Sequence, residues 1–280
     1  MDTGFQTAYE AMLARWPVKV DVLNVRTRHG TTRVNACGPA DARPLVLISG
    51  YGTTSAIWYD NVGSLATNRR VFALDRLGDR GLSVYDGQPI TNQAGLMSYL
   101  DECLDELGVG PIDLCGHSYG GWTALRFAQH APQRVRRLTL LDPTQCFIGL
   151  RWYYLLRALP MLVRPGPRTR RNFLLWESDA TIDPVALEFL CEAQQTSSPP
   201  GAKFVFSKRP SEAELRAVGT PTLLLLAGRG KQHHNDRHAA AARRLMPNIV
   251  VRELPAAAHH TIPFAGADEL NGRLREFFND

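Results

Sequence analysis

No apolar run in the 280-residue sequence reaches the roughly twenty residues that a membrane span requires. The opening residues Met1-Asp2-Thr3-Gly4-Phe5-Gln6 also lack the basic stretch followed by an apolar one that marks an export signal. A cytoplasmic protein is therefore expected. The five cysteines, Cys37, Cys103, Cys115, Cys146 and Cys191, form no C-x-x-C pair and no Cys/His spacing suited to zinc. That pattern argues against a disulfide framework or a metal centre and predicts buried free thiols. No internal repeat, low-complexity tract or lysine-rich module with interleaved aromatics is present, so no nucleic-acid partner is expected. Acidic residues are missing locally. Between Pro143 and Trp176 stand Arg151, Arg157, Arg164, Arg168, Arg170 and Arg171, with no Asp or Glu among them.

With 44% hydrophobic and 21% charged residues, the chain can bury one sizeable core, and its net charge of +5 decides little about partners. Residues 18–25 alternate with period two, His29-Gly30 signals a turn, and 31–36 can return as the second strand of a hairpin. Short apolar runs follow at 45–49, 71–74, 112–115, 135–141, 222–227 and 249–254. Such unbroken runs suit strands buried on both faces. Between them, Met97, Leu100, Leu104 and Leu107 recur at helical spacing, and helices are also expected at 235–246 and 267–278. The alternation predicts an α/β fold: a mostly parallel central sheet with helices on both faces.

The alternation breaks over residues 143–210, where short helices are expected at 152–159, 172–176 and 184–195, with breaks at 165–167 and 197–201. This stretch reads as an inserted helical lid, with 1–142 and 211–280 forming the core.

Gly116-His117-Ser118-Tyr119-Gly120-Gly121 lies between the apolar run ending at Cys115 and the helix-like Trp122-Thr123-Ala124-Leu125. This is a G-x-S-x-G nucleophile elbow in its strand-turn-helix setting. Glycines stand two residues to either side of the serine because a strand turning directly into a helix brings backbones too close for larger side chains. The helix N-terminus then points its free N–H groups at the reaction centre.

The order of parts resembles the α/β-hydrolase superfamily over nearly the whole chain, and within it the lid-bearing bacterial carboxylesterases. The likeness rests on Ser49-Gly50-Tyr51-Gly52, Asp75-Arg76-Leu77-Gly78-Asp79 with Ser83, the elbow, the run from Pro221 to Gly228, and His259-His260-Thr261-Ile262-Pro263. It implies a serine hydrolase acting on an ester, thioester or lactone through an acyl-Ser118 intermediate, with no cofactor and no metal. His260 fits the family spacing for the base and His259 is its rival, while His117 is expected to pack. The family's oxyanion donors fall on the backbone N–H groups of Tyr51 and Tyr119. Its usual acid position falls on Lys231, which cannot orient an imidazolium. The acid is therefore assigned to Asp142 at the end of the sixth strand, with Asp236 a weaker candidate. Lid aromatics Trp152, Tyr153 and Trp176 would line the site for an apolar acyl substrate, against the plainer reading that they pack the lid onto the core. The six arginines fit an acidic substrate or carrier protein, or simply a solvated basic face. Two rival functions stand beside hydrolysis: acyl transfer, cyclisation or carbon–carbon cleavage at the same site, and an inactive binding protein on the same fold.

Overall fold

The computed structural model describes residues 3–164, 166–195 and 202–279. Of the breaks expected at 165–167 and 197–201, residue 165 and the whole of 197–201 lie outside these.

The first helix, α1 (Thr3–Leu13), is an element that strand-helix alternation does not call for. Its signal lies in Phe5, Tyr9, Met12 and Trp16, which recur at helical spacing and are all buried. The hairpin follows as β1 (Asp21–Thr27) and β2 (Gly30–Cys37), paired antiparallel. Then come β3 (Arg43–Ile48), α2 (Tyr59–Leu65), β4 (Arg69–Leu74), α3 (Gln93–Glu106), β5 (Ile112–His117), α4 (Tyr119–His130) and β6 (Val135–Leu141). Three helices, α5 (Trp152–Val163), α6 (Pro167–Glu177) and α7 (Pro184–Gln195), occupy the long connection before α8 (Glu212–Arg216) and β7 (Thr222–Ala227). The chain closes with α9 (Asn235–Leu245), β8 (Ile249–Leu254) and α10 (Ala267–Asn279).

The eight strands form one sheet in the order β1-β2-β4-β3-β5-β6-β7-β8, parallel from β4 through β8. The apolar strands are unbroken because each face has its own core. Val46, Ile48, Leu224 and Leu226 pack with α3, α4 and α9, while Leu45, Leu47, Leu223 and Leu225 pack with α1, α2 and α10. Parallel strands bring all their carboxyl ends to one edge, where the loops after β3, β5, β6, β7 and β8 gather. The inserted helices arise at that same edge. Arg15, just after α1, bonds Asp183 at 2.7 Å and so ties the N-terminal segment to the start of α7. The return from α7 is held by α4, whose Tyr119 Oη donates to the Val205 carbonyl and whose Trp122 Nε1 donates to that of Lys208. All five cysteines are buried and free. Among the described residues no helix is long and apolar enough to cross a membrane.

Candidate active site

Ser118 sits between β5 and α4 with φ 55° and ψ −119°, a conformation that a β-carbon-bearing residue adopts only under strain. The flanking glycines make it sterically possible. A β-carbon on Gly116 would lie 2.2 Å from the Gly120 carbonyl oxygen, and one on Gly120 would lie 2.3 Å from that of Ile48. The Ser118 N–H donates to the Leu141 carbonyl at 2.9 Å, which fixes the elbow to the end of β6.

The imidazole beside Ser118 belongs to His259. The Ser118 hydroxyl donates to His259 Nε2 at 2.9 Å, and His259 Nδ1–H donates to Asp142 Oδ2 at 2.7 Å. The position expected for His260 is thus one residue earlier. The cause lies in a tight turn, in which the Ala258 N–H donates to Thr261 Oγ1 at 3.0 Å and the Thr261 N–H to the Ala258 carbonyl at 3.2 Å. That turn sends the His259 ring inward and leaves His260 edge-on to Phe173, with its Nδ1 3.2 Å from Glu177 Oε2. Glu177, at the end of α6 and fully buried, also accepts the backbone N–H groups of His259 at 2.8 Å and His260 at 3.2 Å. Nothing in the sequence alone ties Glu177 to this loop, because the two lie 82 residues apart.

Asp142 follows β6 in a left-handed conformation, φ 40°, and is buried. Burial opposes its ionisation, but the His259 hydrogen bond and the neighbouring imidazoles outweigh it and hold the carboxyl well below its ordinary range. Gln232 Nε2 donates to Asp142 Oδ2 at 3.0 Å and to its carbonyl at 3.1 Å. Lys231 turns away, bonding the Trp176 carbonyl and Asp179. Asp236 lies in the first turn of α9. His117 packs as expected, donating from Nε2 to the His259 carbonyl at 2.8 Å; burial drives its pKa well down, so the ring stays neutral.

Tyr119 is the first residue of α4, where backbone N–H groups have no partner within the helix. The loop bearing Tyr51 runs against the nucleophile: a β-carbon on Gly50 would come within 3.2 Å of Ser118 Cβ. The loop is braced by Asp79. Its two carboxylate oxygens accept the Gly52 N–H at 3.2 Å each, and Arg76 pairs with the same carboxylate. In the sequence the Asp75 to Asp79 segment carries only the family likeness, with no sign of this role. Thr144 likewise has no sequence signal, yet its hydroxyl lies 3.1 Å from Ser118 Oγ.

A small cleft in front of Ser118 is lined by Gly50, Tyr51, Ile57, Leu190, Gln194 and His260, among others. The aromatics expected there are elsewhere. Trp152 is 72% exposed and Tyr153 41%, while Trp176 packs against Tyr153, Tyr154 and Phe173 and carries Lys231 over its ring at 5.0 Å. The reason is that α5 lies on the outside of the insertion, so α7 supplies the wall in its place.

The alpha/beta hydrolase family profile matches residues 45–273, and the chain belongs to that family. Among its relatives is carboxylesterase YbfK of Bacillus subtilis, 26% identical over 98% of this chain and 93% of that protein. A second is the uncharacterized carboxylesterase nap of the same organism, 29% identical over 98% of this chain and 92% of its own length. The crystal structure of carboxylesterase CesB (YbfK) superposes with a TM-score of 0.89 at 26% identity, covering 99% of both chains. That of naproxen esterase, also from B. subtilis, gives a TM-score of 0.89 at 26% identity over 99% of this chain and 97% of the other.

Proposed function

We propose that the protein is a serine carboxylesterase in which Ser118 is the nucleophile, His259 the base and Asp142 the orienting acid. The observation that carries this reading is the unbroken hydrogen-bonded line from Ser118 through His259 to Asp142. Ser118 Oγ attacks the ester carbonyl as its proton passes to His259 Nε2. The Tyr51 and Tyr119 N–H groups receive the developing oxyanion, aided by the positive end of α4. Collapse of the intermediate returns the proton to the departing alcohol and leaves an acyl-Ser118. Water then attacks that acyl group, His259 takes its proton, and the second collapse releases the acid and restores the serine. Throughout, Asp142 holds Nδ1–H in place and stabilises the imidazolium without itself becoming protonated.

The α5–α7 insertion is the lid of this site. Its α7 residues Leu190 and Gln194, with Ile57, favour a small ester whose acyl or alkyl portion is apolar. None of the six arginines lines the cleft, so the cleft gives no support to an acidic substrate or carrier.

Labelling with a fluorophosphonate, read beside hydrolysis of a soluble nitrophenyl ester, tests the reading. The native protein should be labelled and should release free acid, and Ser118→Ala should do neither. An unlabelled native protein, or one that passes the acyl group to an added alcohol and releases no acid, would contradict it.

A further inference from the structure

The helix α5 is apolar on two opposite sides. At about 100° per residue, Tyr154, Ala158 and Met161 fall together on the side that meets the protein, where Tyr154 is buried against Phe173 with ring centroids 5.4 Å apart. Trp152, Leu155, Leu156, Leu159 and Val163 fall on the other side, at exposures of 72%, 52%, 55%, 47% and 68%. Their spacing is that of a single continuous stripe. A helix apolar all round is ordinarily buried all round, and an exposed aliphatic stripe this long marks a surface that something covers.

The charges around the stripe identify what covers it. From Pro143 to Trp176 there are six arginines and no acid. Arg151 precedes the stripe and Arg164 ends it, with Arg168 exposed in the first turn of α6, while Arg157 turns to the α6 flank over the Trp176 ring at 5.3 Å. A second copy of the chain would bring the same cationic rim against itself. A surface that is apolar within and anionic at its boundary matches both features, because leucines and tryptophan enter the acyl region while arginines meet phosphates. We infer that the outer face of α5 docks on an anionic lipid surface, with the helix lying in the plane of that surface. This goes beyond the esterase reading and does not depend on it, since docking is read without turnover.

The test is sedimentation of the full chain with vesicles of phosphatidylcholine alone and of phosphatidylcholine with phosphatidylglycerol. The protein should pellet with the anionic vesicles and much less with the neutral ones, and added salt should weaken the binding. Replacing Leu155, Leu156 and Leu159 together by serine should weaken it by about tenfold or more, through loss of inserted apolar surface. Replacing Arg151, Arg164 and Arg168 by glutamine should remove the preference for anionic vesicles. Both variants should keep the native melting temperature and hydrolyse a soluble ester at the native rate, which separates lost docking from lost folding. The inference is overturned by absence of pelleting with anionic vesicles, by equal binding of the leucine variant, or by a self-association that the leucine variant abolishes.

Discussion

The rings of His259 and His260 stand 5.0 Å apart at 87° to one another, so these neighbouring residues face different partners. His259 bridges Ser118 and Asp142, and His260 meets Glu177 and Phe173. His259→Ala should therefore lower kcat by about four to six orders of magnitude, as removal of a triad base does. His260→Gln should lose no more than about tenfold, because it touches the cleft without exchanging the serine proton. Steady-state hydrolysis of a soluble ester by the two variants checks this, and the reverse ranking would move the base to His260.

Asp142→Asn should reduce kcat by about four orders of magnitude, because an amide cannot hold Nδ1–H and the neutral ring would present the wrong tautomer to Ser118. Lys231 occupies the position where the family usually carries the acid, yet it faces Trp176 and Asp179. Lys231→Asp introduced into the Asp142→Asn background should accordingly restore little. Substantial recovery in the double variant would place the acid after β7.

The parts of the site that were legible in the sequence are those fixed by local backbone. Ser118 could be found because its strained turn demands Gly116 and Gly120, and Asp142 because it directly follows an apolar strand. Spacing favours His260 over His259, the reverse of what the structure places beside Ser118, because the outcome depends on a turn closed by Thr261 and anchored by a carboxylate from another helix. Aromatic composition located Trp152 and Tyr153 in the insertion but not on a face of it, and the face decides whether a side chain lines a cleft or meets solvent. The sheet was legible almost strand by strand because burial on both sides leaves a continuous apolar run. The N-terminal helix lay outside the repeating pattern, although Phe5, Tyr9 and Met12 carried its spacing.

Glu177, at the end of α6, holds the loop that carries His259 by accepting the His259 and His260 N–H groups. Burial disfavours its charge, but the His260 hydrogen bond and the nearby imidazoles more than compensate, so it is held below the ordinary carboxylate range and stays ionised. Glu177→Ala should leave two buried N–H groups without an acceptor and let the base drift, lowering kcat by about a hundredfold with a smaller change in KM. Glu177→Gln keeps one acceptor and should lose less. A kcat that is unchanged in both variants would reduce Glu177 to a packing residue.

His238 has no exposure, lying between Phe147 and His233 with ring centroids 5.6 Å and 4.6 Å away, and neither of its ring nitrogens has a partner among the described residues. Burial, reinforced by His233, pushes its pKa from 6.5 down to about 3. In this interval the unfolded chain binds a proton that the folded one excludes, so stability is complete above the unfolded pKa and falls as the pH drops toward the folded one. Between pH 7 and pH 5 this group alone should remove about 2 kcal/mol. His238→Leu fills the same apolar space without a titrating nitrogen and should flatten that decline. Denaturant unfolding of the native protein and the variant at the two pH values measures the difference, and parallel losses in both would assign the acid sensitivity to other groups.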